Sequence, residues 1–272
     1  MLRYLAWVGT LLLAVLLTTP ASAQQGFTGT SPVSRSGRFR YSLWGSELSV
    51  DLEVTSGTTF GTEFSLNELG VDKKETVPIW EFEMWEGPFR LDISYWENKW
   101  EGFAQISRDI AFEGVTYSLA AVLDSTFRMR AADVSLTTNL SRTYKASFGV
   151  TGGLKYIEYH AKLWEVATNT SSKEEVIAPI PYLGVSAEFL VGETTILGGR
   201  FVMFQYAYSG TNVHVGNFYQ ADAYIEYRPE AGVALRIGFH NIHISYENRT
   251  PGDRFKITQM LRGTYAAVYI TF

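Results

Sequence analysis

The densest group of reactive side chains in this 272-residue chain is His240-Asn241-Ile242-His243-Ile244-Ser245. Histidine takes and returns protons near neutral pH. A serine within its reach is the start of an acyl-transfer nucleophile. His240, His243 and Ser245 are therefore the catalytic candidates. Their spacing limits them, because strand side chains alternate between faces: His240 falls opposite both His243 and Ser245. The remaining histidines are His160 and His214. Glu158, His160 and Lys162 share a parity, as do Asp109 and Glu113. These are the residue types of a carboxylate-and-histidine hydrolase, and equally of a salt-bridge network. Asp51, Glu53, Asp72 and Glu75 flank a polar loop and offer the oxygen ligands a hard cation takes; exposed loop acids account for them as well. With no cysteine in the chain, thiol chemistry and cysteine metal sites are excluded. There is no nucleotide-binding glycine fingerprint. The net charge is −5 without a basic cluster, against nucleic-acid binding. No cofactor and no metal are expected.

The elements that must position these residues are strands. Val213, Val215, Tyr219, Ala221, Ala223, Ile225 and Tyr227 alternate with His214, Gly216, Gln220, Asp222, Tyr224 and Glu226, a period of two. The same alternation runs through 39–43, 144–156, 183–189 and 233–239. It predicts an all-β chain of about ten strands near 37–54, 76–86, 88–111, 117–140, 143–166, 177–190, 194–209, 212–228, 232–247 and 254–272. Twelve result if Trp96–Gly102 and Gly114 form turns. The apolar set changes parity near Ala131-Ala132, Glu158 and His240-Asn241, where bulges are expected. Gly152-Gly153 and Gly198-Gly199 mark bends or close approaches of backbones.

Turns of two kinds separate the strands. Glu86-Gly87-Pro88, Asn139–Arg142, Val191-Gly192-Glu193 and Pro229–Gly232 are short. Thr55–Thr76, Ala167–Glu175 and Glu247–Asp253 are longer and polar, and Ser209–Asn212 is intermediate. Short turns on one side and longer loops on the other describe a closed antiparallel up-and-down transmembrane β-barrel, with the short turns periplasmic. The polar face then supplies lumenal charges: Arg128, Arg130, Lys145, Lys155, Glu188, Arg200, Asp222 and Arg236. Trp80, Phe82, Trp85, Phe89, Tyr95, Trp96 and Trp100, with Phe204, Tyr206 and Tyr208, fall where interfacial aromatic girdles would be.

Ahead of the barrel, Arg3, the apolar run Leu5–Leu17 and Ala21-Ser22-Ala23 form a secretory signal with cleavage after Ala23. Residues 1–23 are thus a signal peptide, 24–36 an N-terminal periplasmic segment and 37–272 the barrel. The absence of cysteine in an exported chain fits a bacterial envelope protein.

The chain ends Tyr265-Ala266-Ala267-Val268-Tyr269-Ile270-Thr271-Phe272, with Ala266, Val268, Ile270 and Phe272 on one face. This ending resembles the C-terminal strand signature of Gram-negative bacterial outer-membrane proteins, although Ile270 stands where that family often carries an aromatic. The resemblance implies that Phe272, Ile270 and Val268 are recognised by the outer-membrane barrel assembly machinery. Phe60–Gly70 and Ile110–Val115 look similar to elements of proteobacterial outer-membrane barrels and imply no activity. The expected protein is a non-enzymatic barrel, a narrow channel or a structural or interaction barrel with external loops, lying among outer-membrane lipid and lipopolysaccharide. A barrel enzyme acting on lipid or peptides and a soluble lipocalin-like binder are the alternatives.

Overall fold

The computed structural model describes residues 36–56, 60–208, 213–230, 232–250 and 253–272. The expected signal peptide and most of the periplasmic segment lie outside them, as does the Ser209–Asn212 loop. The described elements are β1 (Ser36–Ser56), β2 (Phe64–Ser65), a 3-10 helix (Leu66–Leu69), β3 (Lys74–Glu86), β4 (Phe89–Gln105), β5 (Ile110–Phe112), β6 (Val115–Tyr117), β7 (Val122–Arg142), β8 (Ala146–Glu165), β9 (Thr170–Val191), β10 (Thr195–Tyr208), β11 (Val213–Glu230), β12 (Val233–Thr250) and β13 (Asp253–Thr271).

Ten of these strands form one antiparallel ring. The hydrogen-bonded order is β13-β12-β11-β10-β9-β8-β7-β4-β3-β1, and β1 pairs with β13 from Arg38↔Thr271 to Ser56↔Asp253 to close it. Closure leaves no free sheet edge around the periplasmic half, which lipid requires of any spanning strand. The twelve-strand alternative fails. Trp96–Gly102 runs unbroken inside β4. Gly114 does turn the chain, but into the small β5–β6 hairpin, where Glu113 (φ 48) and Gly114 (φ 73) form a two-residue left-handed turn.

The predicted bulges are absent. Register runs unbroken through Ala131↔Ile157, Glu158↔Ile177 and His240↔Gly263. The shifts that do occur, at Asn139/Ser141 and Tyr227/Glu230, lie beside periplasmic turns. What changes near residues 131, 158 and 240 is the surrounding solvent. On β8, Phe148, Val150, Leu154 and Tyr156 point outward while Ser147, Thr151 and Lys155 point inward; two residues further on, Glu158, His160 and Lys162 point outward and Ile157, Tyr159 and Leu163 inward. β7 and β12 flip in the same way. Below the flip the outer wall meets lipid and the lumen is polar. Above it the wall meets water, and apolar residues turn inward as in any soluble domain.

An exposed apolar belt results. It includes Phe39, Leu43, Trp80, Ile93, Tyr95, Val134, Val185, Phe201, Ile225, Ile237, Phe239, Val268 and Ile270. Such a belt in water would be an aggregation surface, and a lipocalin places its apolar face inside, so the soluble reading does not fit. Trp80, Phe82, Phe89 and Tyr95 lie on this belt, whereas Trp85, Trp96 and Trp100 point inward.

The loop pattern is sharper than expected. Ala167–Glu175 is mostly strand, with a turn at 166–169, and β12 continues to Thr250. These stretches are polar because they are strands standing in water. Among the described residues two inserts are substantial, 60–73 and 106–121, and both fold over the external mouth. Phe64, Leu66, Leu69, Ile106, Ile110, Phe112 and Tyr117 are buried there. Ser65 caps the 3-10 helix with a reciprocal Glu68 bond, and Gly70 (φ 72) ends it. Arg108 ties the inserts together through Glu68 (2.9 Å) and the Glu63 carbonyl (2.7 Å). Tyr117 Oη, 2.6 Å from Ser172 Oγ, anchors the hairpin to β9.

Candidate functional site

The polar lower lumen is the part of the molecule where titratable groups converge. Glu226, with a fully buried side chain, faces three guanidiniums: Arg236 at 2.6 Å, Arg228 at 2.7 Å and Arg38 at 3.0 Å. Arg236 lies between the rings of Tyr224 (3.6 Å) and Tyr269 (4.6 Å), and Arg38 sits over Tyr269 (4.0 Å). Away from water such cation–π contacts reach about 2 kcal/mol. Arg40 pairs with Glu81 and donates to Tyr269 Oη (2.7 Å). Arg90 joins Asp92 (3.0 Å) and Glu188 (3.3 Å). Lys155 pairs with Asp133 at 2.6 Å; Tyr182 Oη donates to Asp133 (2.5 Å) and accepts from Arg200 (2.9 Å).

Five of the eight expected lumenal charges are therefore lumenal: Lys155, Glu188, Arg200, Asp222 and Arg236. Three are not. Arg128 and Arg130 lie on the outer wall above the belt, where Arg130 bridges Glu97 (3.0 Å) and Glu158 (3.4 Å). Lys145 is exposed in the β7–β8 turn. At Arg128 and Arg130 the polar parity has already passed the point where lumen and exterior exchange character. Arg38, Arg40, Glu81, Glu83, Arg90, Asp92, Asp133 and Glu226 are lumenal residues that the sequence reasoning missed. An inward parity counted back from the lipid-facing Ala266–Phe272 face would have found several of them.

Among these charges lies a small cavity of about 70 Å³ whose lining includes Ser42, Glu81, Asp92, Gln220, Asp222 and His240. Glu81, Glu83 and Asp92 bring carboxylate oxygens within 4.8 Å of one another, an arrangement that can hold a cation. Each already faces an arginine: Arg40, Arg38 (3.8 Å) and Arg90 respectively. Ion pairing accounts for the cluster.

The catalytic candidates are not brought together. His240 points into the lumen, 3.6 Å from Asp222 and edge-on to Trp44 (4.9 Å between rings). His243 and Ser245 lie on the outer wall, with His243 stacked on Tyr219 (4.7 Å). His160 also faces outward, 3.5 Å from Glu175. The Asp222–His240 pair, joined by Tyr265 Oη (2.9 Å), has the residue types of a proton relay. Ser42 lines the same cavity but its hydroxyl is hydrogen-bonded to neither member of the pair, and Trp44, Trp96, Trp100, Phe127 and Met129 fill the interior between the pair and the outside. Of the acids expected to flank the first loop, Glu53 pairs with Arg254 (2.5 Å).

Forty-six solved protein chains are significantly similar to this fold. The outer-membrane protease OmpT of Escherichia coli matches with a TM-score of 0.58 and 9% identity, over 91% of this chain and all of that one. The toluene transporter TodX of Pseudomonas putida (TM-score 0.31, 9% identity, 95% and 93% covered) and the transport unit of the E. coli autotransporter AIDA-I (0.40, 10%, 94% of each) are more distant. No protein-family model matches the sequence and no curated protein is significantly similar to it. The chain has the fold of bacterial outer-membrane β-barrel proteins.

Proposed function

We propose that this chain is a closed, non-enzymatic barrel of the Gram-negative outer membrane that presents its external elements as a structural or interaction surface. The observation that supports this reading is the double obstruction of the lumen. Ion pairs and stacked tyrosines fill the periplasmic half, and buried aromatic and aliphatic side chains fill the external half beneath a stitched cap. Moving an ion through either layer would mean breaking desolvated charge pairs or hydrating a dry core. Of the two non-enzymatic readings, the narrow channel is thus the less favoured.

Residues 1–23 serve as the cleaved signal and 24–36 as a periplasmic lead-in, so the mature protein starts at Gln24. Phe272, Ile270 and Val268 serve as the assembly signal, and outer-membrane lipid and lipopolysaccharide surround the belt. A hydrolase reading finds little support in the geometry, since His240 and Ser245 face opposite sides of the wall. Planar-bilayer recording tests the proposal. The purified barrel is expected to be silent across the voltage range it tolerates; reproducible unitary steps would overturn it.

A further inference from the structure

The ring is complete in its periplasmic half but not in its upper wall. β9 pairs with β8 along its whole length, from Thr170↔Glu165 to Phe189↔Ala146. With β10 it pairs only from Val191↔Thr195 to Leu183↔Met203. Above that point β10 continues to Tyr208 against β11 alone, and among the described residues no strand pairs with the free edge of β9.

The sequence contains the cause. The Leu190 N–H donates to Lys145 on the β8 side. In an antiparallel strand the donors of alternate residues point the same way, so even-numbered residues of β9 donate toward β8 and odd-numbered ones toward β10. Pro179 and Pro181 are odd. Each removes a donor from the edge that β10 would need, and pairing ends at Leu183, the first odd-numbered residue below them. The comparable split between β3 and β4, which pair only from Ile79↔Trp96 to Glu86↔Phe89, is closed by the first insert through the Val71↔Gly102 bridge. No described element does this for β9 and β10.

The groove starts at the outer rim of the belt, and its foot is apolar on both sides. Ile177, Leu183 and Met203 are exposed beside it, and Ala178, Ile180, Tyr182 and Phe218 are buried directly behind it. We infer that the β9–β10 groove seats an acyl chain of an outer-leaflet lipid, admitting it laterally against the upper core. Its walls continue the lipid-facing belt, which supplies that chemistry at the rim. A peptide strand is a poorer occupant, because the prolines deny it part of the hydrogen-bond ladder.

The chain has no native cysteine, so single spin labels report cleanly. Ala178→Cys places a label behind the open edge; Ala161→Cys places one on the inner face of β8, whose two edges are both paired. In bilayers, oxygen, which partitions into lipid, is expected to relax the label at 178 several-fold more than the label at 161. Pro179→Val with Pro181→Val should restore the donors, extend the pairing and bring 178 down to the level of 161. Equal protection of the two labels, or relaxation at 178 mainly by a water-soluble nickel chelate, would overturn the inference. Should labelled Ala178→Cys not fold, native mass spectrometry decides between the unlabelled parent, which should retain lipid, and the double proline variant, which should lose it; equal retention overturns the inference. None of these outcomes depends on whether the lumen conducts.

Discussion

Arg236 Nη2 lies 2.6 Å from Glu226 Oε2 with both side chains shielded from solvent. The same carboxylate holds Arg38 and Arg228. One acid thus fixes charges from β1, β11 and β12. Removing one partner of a buried pair leaves uncompensated charge, which costs about 3–5 kcal/mol. Glu226→Ala is expected to lower the urea midpoint of the refolded barrel by that order. The exposed pair Arg249–Glu247 (2.8 Å) is the control, and Arg249→Ala should shift the midpoint by less than about 1 kcal/mol.

Glycines opposite tyrosines repeat around the lumen. An ideal Cβ on Gly198 would meet the Tyr224 ring at 2.2 Å, on Gly153 the Tyr182 ring at 2.5 Å and on Gly238 the Tyr265 ring at 2.6 Å. The missing side chain makes the space in which each ring lies across the neighbouring strand. Gly198→Val should displace Tyr224 and with it the hydrogen bond to Glu188 (2.7 Å). Overpacking of this kind costs about 1–3 kcal/mol. Gly192→Val, at a turn glycine with open space around it but φ 72, should cost through backbone strain and leave the tyrosine untouched. Near-ultraviolet circular dichroism separates the two.

Above the belt, Glu174 approaches Glu113 of the cap hairpin. Burial raises its pKa from 4.5 to about 7, with Glu113, Asp253 and Glu175 adding like charge. The folded state therefore holds this proton more tightly than the unfolded state does. The contribution is fully present below about pH 4.5 and is lost as the pH rises through 7. Because the group is only half-buried, an effect on the order of 1 kcal/mol is expected after screening. Hydrogen exchange of the 110–117 hairpin should accelerate over that window beyond its intrinsic pH dependence. Glu174→Gln should remove the excess; an unchanged profile would exclude Glu174 as its source.

Phe272 lies on the belt at the periplasmic end, stacked on Phe82 (6.2 Å) and covering Gly37. Deleting it should reduce the fraction of chain reaching the outer membrane in cells while changing in-vitro refolding into detergent only slightly. A matching loss in both would assign it a packing role instead of a recognition role.

Much of the fold was legible in the sequence. Alternation gave strands, the short turns at Gly87, Gly192 and Gly232 gave tight hairpins at one end of the barrel, and the Ala266–Phe272 face gave the lipid side. These are local properties: a period of two, a left-handed glycine and a run of outward apolar residues need no distant partner to be read. Ser65-Leu66-Asn67-Glu68 is also a local signal, a capping box that needs no distant partner.

Tertiary structure alone decided which polar face was lumen and which was water. Lys155 and Glu158 are equally polar and three residues apart, yet one is buried against Asp133 and the other lies outside beside Arg130. Parity gives only a face, and what that face meets depends on the height of the residue relative to a belt assembled from all ten strands. The partners of Glu226 and the separation of His240 from Ser245 by the wall follow from the same closure. Pro179 and Pro181 were in plain view, but a missing donor has meaning only once the side of β9 facing β10 is known.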